Sequence, residues 1–146
     1  MNKNEMKLVF DSYSSNESFA RVAVAAFLAE LNPTLDELSD VKTAVSEAVT
    51  NSIIHGYEEV IAKIELTCCV WGNDITITVE DFGKGIEDVE KAKEPFFTTK
   101  PELERSGMGF AFMEAFMDEV KVSSEYGKGT KVIMRKRIGE QKGSCR

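Results

Sequence analysis

Three short segments, in one order, hold the residues that could do chemistry. The first is Glu47-x-x-x-Asn51-x-x-x-His55, the second Asp81-x-Gly83-x-Gly85, the third Gly107-x-Gly109. Spacing of four on a helix puts a carboxylate, an amide and an imidazole on one face. A neutral amide oxygen can complete the mostly aqueous octahedron that Mg²⁺ prefers when phosphates supply the rest. A carboxylate one turn earlier can accept a proton from an attacking hydroxyl or water. Asn is a poor helix former, so Asn51 in mid-helix invites a reason. An ionised Asp81 only accepts hydrogen bonds. It suits the exocyclic amine of adenine and would repel the carbonyl of guanine. Taken together, the three segments describe an ATP site whose metal is held from a helix. Each has a plainer reading. Glu47 and Asn51 could lie on a solvated face, His55 could be packed or solvent-facing, and Asp81 could close a strand-ending turn.

The elements that must position these residues alternate between α and β. Met6 to Phe10 alternates like a short strand. Ser14-x-x-Glu17 and Thr34-x-x-Glu37 have the form of capping boxes and open two helices. The first helix runs from Phe19 to Leu31 and breaks at Asn32-Pro33. The second carries an apolar stripe, Leu38, Val41, Val45, Val49 and Ile53, and stops at Gly56. Strands are expected at Ile61 to Trp71 and Ile75 to Val79, joined by Gly72-Asn73-Asp74. A helix over Met108 to Met117 leads to strands at Val120 to Ser124 and Thr130 to Arg137, around the turn Tyr126-Gly127-Lys128-Gly129. Phe110, Phe112, Met113, Phe116 and Met117 read as core. Residues 1–138 form one domain, and 139–146 a polar tail.

Residues 82–106 read mostly as loop, with a short helix near Val89. So long a connection in a compact domain suggests a lid. It carries Thr98, Thr99 and Lys100, then Ser106, Gly107, Met108 and Gly109 ahead of Phe110. Hydroxyls, a cation and free N–H groups beside a helix N-terminus suit phosphates, and glycines let the backbone approach an anion. Gly107-x-Gly109 lacks the spacing of a Walker loop or a dinucleotide fingerprint.

Composition bounds the remaining possibilities. At 146 residues, 42% hydrophobic and 29% charged, the chain has the make-up of an ordinary globule. A net charge of −7 argues against direct nucleic-acid binding. No apolar run reaches membrane-spanning length, and the N-terminus is no signal peptide. Cys68 and Cys69 are adjacent on a strand and point to opposite faces, while Cys145 lies in the tail, so no disulfide framework is expected. These features suggest a cytoplasmic protein.

Glu47 to Tyr57 resembles the N box of the GHKL superfamily, which includes the gyrase, Hsp90, histidine-kinase and MutL ATPases. Asp81 to Gly85 is similar to its G1 box, Ser106 to Phe110 to its G2 box, and Gly129-Thr130 to the strand threonine behind the adenine pocket. The likeness spans roughly residues 5 to 137. Phe96 to Gly109, with Ser18-Phe19-Ala20-Arg21, further resembles the anti-sigma F family of spore-forming bacteria. That resemblance implies an α+β Bergerat fold: a two-layer sandwich with a mixed, mostly antiparallel sheet covered on one face by helices. It implies an ATP-dependent serine kinase that holds a sporulation sigma factor and phosphorylates an anti-anti-sigma factor on serine. In this scheme Glu47 is the general base and Asn51 holds Mg²⁺. His55 lies toward the phosphates, and Asp81 accepts from the adenine amine. Gly83 and Gly85 shape the pocket, Thr98 to Lys100 belong to the lid, and Ser106 to Phe110 form its phosphate-facing hinge. Arg21 is a candidate partner contact or a solvent-facing residue. The strand near Met6 could pair across a two-fold axis in a homodimer. A histidine-kinase module is disfavoured because no phospho-acceptor helix precedes the domain. An ATPase clamp is disfavoured because no transducer domain follows it.

Overall fold

The computed structural model describes residues 3–58, 60–86, 88, 89, 93 and 109–139. The elements run β1 (Lys3–Asp11), α1 (Ser15–Leu28), α2 (Leu35–Asn51), β2 (Lys63–Trp71), β3 (Asp74–Asp81), α3 (Gly109–Phe116), β4 (Glu119–Glu125) and β5 (Gly129–Arg137). A 3₁₀ turn, Ala29–Leu31, extends α1, and a π turn, Ser52–Gly56, extends α2. The strands form one sheet in the order β1-β2-β3-β5-β4. The sheet expected to be mixed and mostly antiparallel is antiparallel at every described pairing.

Period-two patterning decides which face the helices cover. Ile64, Leu66, Cys68 and Val70 of β2 are buried, as are Ile75, Ile77 and Val79 of β3. Between them stand exposed or half-buried residues on the opposite face. On the helix side, Ala20, Val24 and Leu28 of α1 meet Val41, Ala44, Val45, Ala48 and Val49 of α2 in the same core. Burying each larger aliphatic side chain contributes roughly 1.5–3 kcal/mol before entropy is counted. Small residues, Ala44 and Ala48, let α2 lie close to its neighbours. Lys136 on β5 donates to the Phe116 carbonyl at 2.7 Å, placing a cation on the last carbonyls of α3. Phe110, Met113 and Met117 are buried, and Phe112 stacks on Phe116 with ring centroids 5.9 Å apart.

The two expected capping boxes differ. At Thr34 both bonds form: Glu37 N–H donates to Thr34 Oγ1 at 3.0 Å, and Thr34 N–H to Glu37 Oε1 at 2.9 Å. Ser14 is already helical (φ −56°, ψ −34°) and its side chain caps nothing. The Glu17 N–H goes instead to the Ser14 carbonyl at 3.2 Å, and the Glu17 side chain is drawn away. Glu17 turns to α2, where its Oε2 accepts from the Ser46 hydroxyl at 2.6 Å. Arg21 joins the same carboxylate at 3.6 Å. The expected helical turn near Val89 is represented by Lys93 N–H donating to Val89 O at 3.2 Å.

Candidate nucleotide site

The site begins where the alternation of β3 ends. Ile75, Ile77, Val79 and Asp81 share the helix-facing side, so the strand that builds the core delivers a carboxylate into it. Asp81 is 2% exposed. Register places Asp81 opposite Thr130 on β5, and Thr130 opposite Ser124 on β4. A polar row therefore crosses three strands at one end of an otherwise apolar face. Ser124 Oγ lies 2.9 Å from Thr130 Oγ1.

Burial pushes the Asp81 carboxyl above the ordinary Asp value. Hydrogen bonds from the Gly83 backbone, the Ser52 hydroxyl and the Thr130 backbone oppose that shift. The Gly83 N–H lies 3.0 Å from Asp81 Oδ1. Ser52 opens the π turn, in which Tyr57 N–H donates to Ser52 O at 3.0 Å. That turn swings Ser52 onto Asp81 and closes with Gly56 against the same carboxylate. A Cβ at Gly56 would stand 2.8 Å from the Asp81 oxygens, so only glycine fits. Gly83 backs onto the Gly56 carbonyl, and Gly85 (φ +78°) backs onto Glu125.

Farther up α2, Glu47 and Asn51 face the start of α3. A Cβ on Gly109 would come within 3.3 Å of Glu47 Oε1 and 3.2 Å of Asn51 Nδ2. The missing side chain leaves a cradle between the carboxylate, the amide and the N-terminus of α3. Among the described residues, Asn51 Nδ2 is a buried polar atom with no hydrogen-bond partner. An orphaned amide beside a glycine cradle fits a bound polar group, since leaving it unmet costs about 1–3 kcal/mol. Glu47 and Gly56 are nine residues apart along α2 and the π turn that extends it. One helix thus spaces the acceptor at Asp81 from the Glu47–Asn51 pair, as an elongated ligand requires.

His55 lies in the π turn rather than on α2, so the four-residue spacing holds for Glu47 and Asn51 but widens past Asn51. Gly109 and Phe110, the first described residues of α3, are both buried. Thr98, Thr99, Lys100, Ser106, Gly107 and Met108 lie outside the described residues. Sequence reasoning missed Ser52, Tyr57 and Ser124, and read Gly56 only as a helix stop. A signal existed for Ser124: it follows Val120 and Val122 on the inward side of β4. Nothing in the sequence singles out Tyr57.

Residues 14–136 match the family described as histidine kinase-like ATPase domain. An anti-sigma F factor of Clostridium novyi is 60% identical over 141 residues, covering 94% of this chain and 97% of its own. Another, from Anoxybacillus flavithermus, is 56% identical over 144 residues, covering 98% and 99%. The chain belongs to the anti-sigma F factor family. The crystal structure of the RsbU and RsbW domains of a Mycobacterium tuberculosis protein shares the fold at a TM-score of 0.68 and 20% identity. That match covers 92% of this chain and 32% of the other, about a third of its length. As an anti-sigma F family member with a kinase-like ATPase domain, the chain has the ATP- or ADP-binding fold expected from its motifs. No helix among the described residues is long and apolar enough to cross a membrane.

Proposed function

We propose that this protein binds and inhibits a sporulation sigma factor and, as an ATP-dependent serine kinase, phosphorylates and so inactivates the anti-anti-sigma factor. The observation that carries the reading is the meeting of Glu47, Asn51 and Gly109, with Asn51 Nδ2 unpartnered beside the glycine cradle. The adenine amine donates to Asp81, with Thr130 behind the pocket and Gly83 and Gly85 shaping it. Phosphates extend along α2 toward α3, near Gly109 and Phe110, while His55, next to Gly56 in the π turn, stands nearer the Asp81 end than its likeness to the family implies. Asn51 would hold Mg²⁺ through Oδ1, which also faces the Gly109 cradle, leaving the unpartnered Nδ2 to donate to a phosphate oxygen; the ion would neutralise phosphate charge.

In transfer, Glu47 takes the proton from the substrate serine hydroxyl. The serine oxygen forms a bond to the γ-phosphorus as the bond to the β–γ bridging oxygen breaks, and ADP leaves. Positioning and charge neutralisation dominate such chemistry. By likeness to the family, Thr98, Thr99 and Lys100 serve as the lid, and Ser106, Gly107 and Met108 as its hinge. Arg21, on the half-exposed side of α1, is the proposed partner contact, and the β1 edge of the sheet the place where two copies pair. The reading is tested by incubating the protein with γ-labelled Mg-ATP and the anti-anti-sigma factor. Acid-stable label on a serine of that factor is the expected result. Phosphate released to water with no labelled protein would overturn it.

A further inference from the structure

Four of the five backbone donors in the loop Phe82–Ile86 are tied to the rest of the fold. Phe82 N–H donates to the Tyr57 hydroxyl at 2.8 Å, and Gly83 N–H to Asp81 Oδ1 at 3.0 Å. Lys84 N–H donates to Gly56 O at 3.0 Å, and Ile86 N–H to Ser124 Oγ at 2.7 Å. From the far side, Gly127 N–H reaches Lys84 O at 2.5 Å. A loop held at four of its five N–H groups by residues of other elements is a fixed shelf beside Asp81.

Side-chain hydroxyls hold its two ends. The Tyr57 O–H donates to Lys63 O of β2, which leaves its lone pairs for Phe82. Ser124 Oγ lies 3.0 Å from Gly129 O and 2.9 Å from Thr130 Oγ1 while accepting from Ile86. Gly83 rides on this loop and holds Asp81 Oδ1. The aim of the carboxylate is therefore tied to where the loop sits, and the Thr130 hydroxyl to the same serine.

We propose that Tyr57 and Ser124 are positioning residues that set base specificity, by pinning both ends of the 82–86 loop and so fixing Asp81 relative to Thr130. The inference rests on the base-recognition role given to Asp81. Deleting either hydroxyl leaves a loop N–H without its partner and frees the loop to shift, and the carboxylate turns with it. Both act through the loop and the Asp81 carboxylate.

The test is calorimetric binding of ADP and GDP to Tyr57→Phe, Ser124→Ala and Ser124→Thr, with Asp81→Asn as control and thermal unfolding of each. Each hydroxyl deletion should weaken ADP binding about tenfold, the worth of one hydrogen bond. The preference for ADP over GDP should narrow, and Ser124→Thr should restore both. Unchanged ADP affinity in Tyr57→Phe and Ser124→Ala, with binding lost in Asp81→Asn, overturns the proposal. So does a loss of ADP and GDP by the same factor in step with a lower Tm, which would make both hydroxyls merely structural. Full ADP binding by Asp81→Asn removes the underlying reading of Asp81 itself. If Tyr57→Phe fails to fold, the Ser124→Ala and Ser124→Thr pair decides alone.

Discussion

Gly56 and Asp81 touch where only a hydrogen fits: a Cβ on Gly56 would stand 2.8 Å from the Asp81 Cγ and from both carboxylate oxygens. The end of α2 is thereby seated on a buried carboxylate of the sheet. Gly56→Ala should force the two apart, at a cost of about 1–3 kcal/mol. Urea unfolding should show that loss, and calorimetry should show ADP binding gone or greatly weakened.

Asp81 should cost the fold stability that its function requires. Burial raises its pKa, so the native state keeps the proton to a higher pH than the unfolded chain. Its contribution therefore favours folding in acid and is lost as pH rises through the native value. Asp81→Asn cannot titrate. Its stability advantage over the wild type should grow as pH rises above about 4 and level off above the native Asp81 value, while adenine binding disappears. Urea midpoints across that range check the sign.

The two N-caps make opposite predictions. Thr34→Ala removes a complete capping box and should cost ~1 kcal/mol. Ser14→Ala removes no cap bond and should stay within ~0.5 kcal/mol of the wild type. Ser46→Ala deletes a 2.6 Å bond to the Glu17 carboxylate and should cost ~1.5–3 kcal/mol. Chemical denaturation of the three variants side by side tests whether Glu17 serves α2 rather than its own helix.

Cys68 tests the strand register. It is fully buried, and burial pushes its thiol up to about 12. In native protein at mildly alkaline pH, iodoacetamide should leave Cys68 unmodified, and denaturant should expose it to labelling. Fragmentation mass spectrometry distinguishes it from Cys69, its neighbour on the opposite face.

Much of this fold is written in local patterns. The apolar stripe of α2, the Thr34 cap, the hairpin at Gly72 and the alternation of β2 and β3 each depend on neighbours within a turn or two. The geometry of the candidate site was legible where it follows the same four-residue spacing, as for Glu47 and Asn51. It was not legible where contacts cross the chain. Ser14 failed as a cap because its backbone is already helical and its carbonyl takes the Glu17 N–H, while Ser46, far along the sequence, claims the Glu17 side chain. Gly56 met Asp81 only through a π turn, which four-residue periodicity does not anticipate. Tyr57 acquired its place from Phe82 and Lys63, partners no pattern in the sequence names.

The central claim is that Glu47 acts on the substrate proton and not on the nucleotide. The direct measurement compares wild type and Glu47→Gln for ATP affinity and for phosphate transfer from γ-labelled Mg-ATP to the anti-anti-sigma factor. The account predicts unchanged ATP affinity and a loss of transfer of about a hundredfold or more. Transfer at the wild-type rate by Glu47→Gln would contradict it.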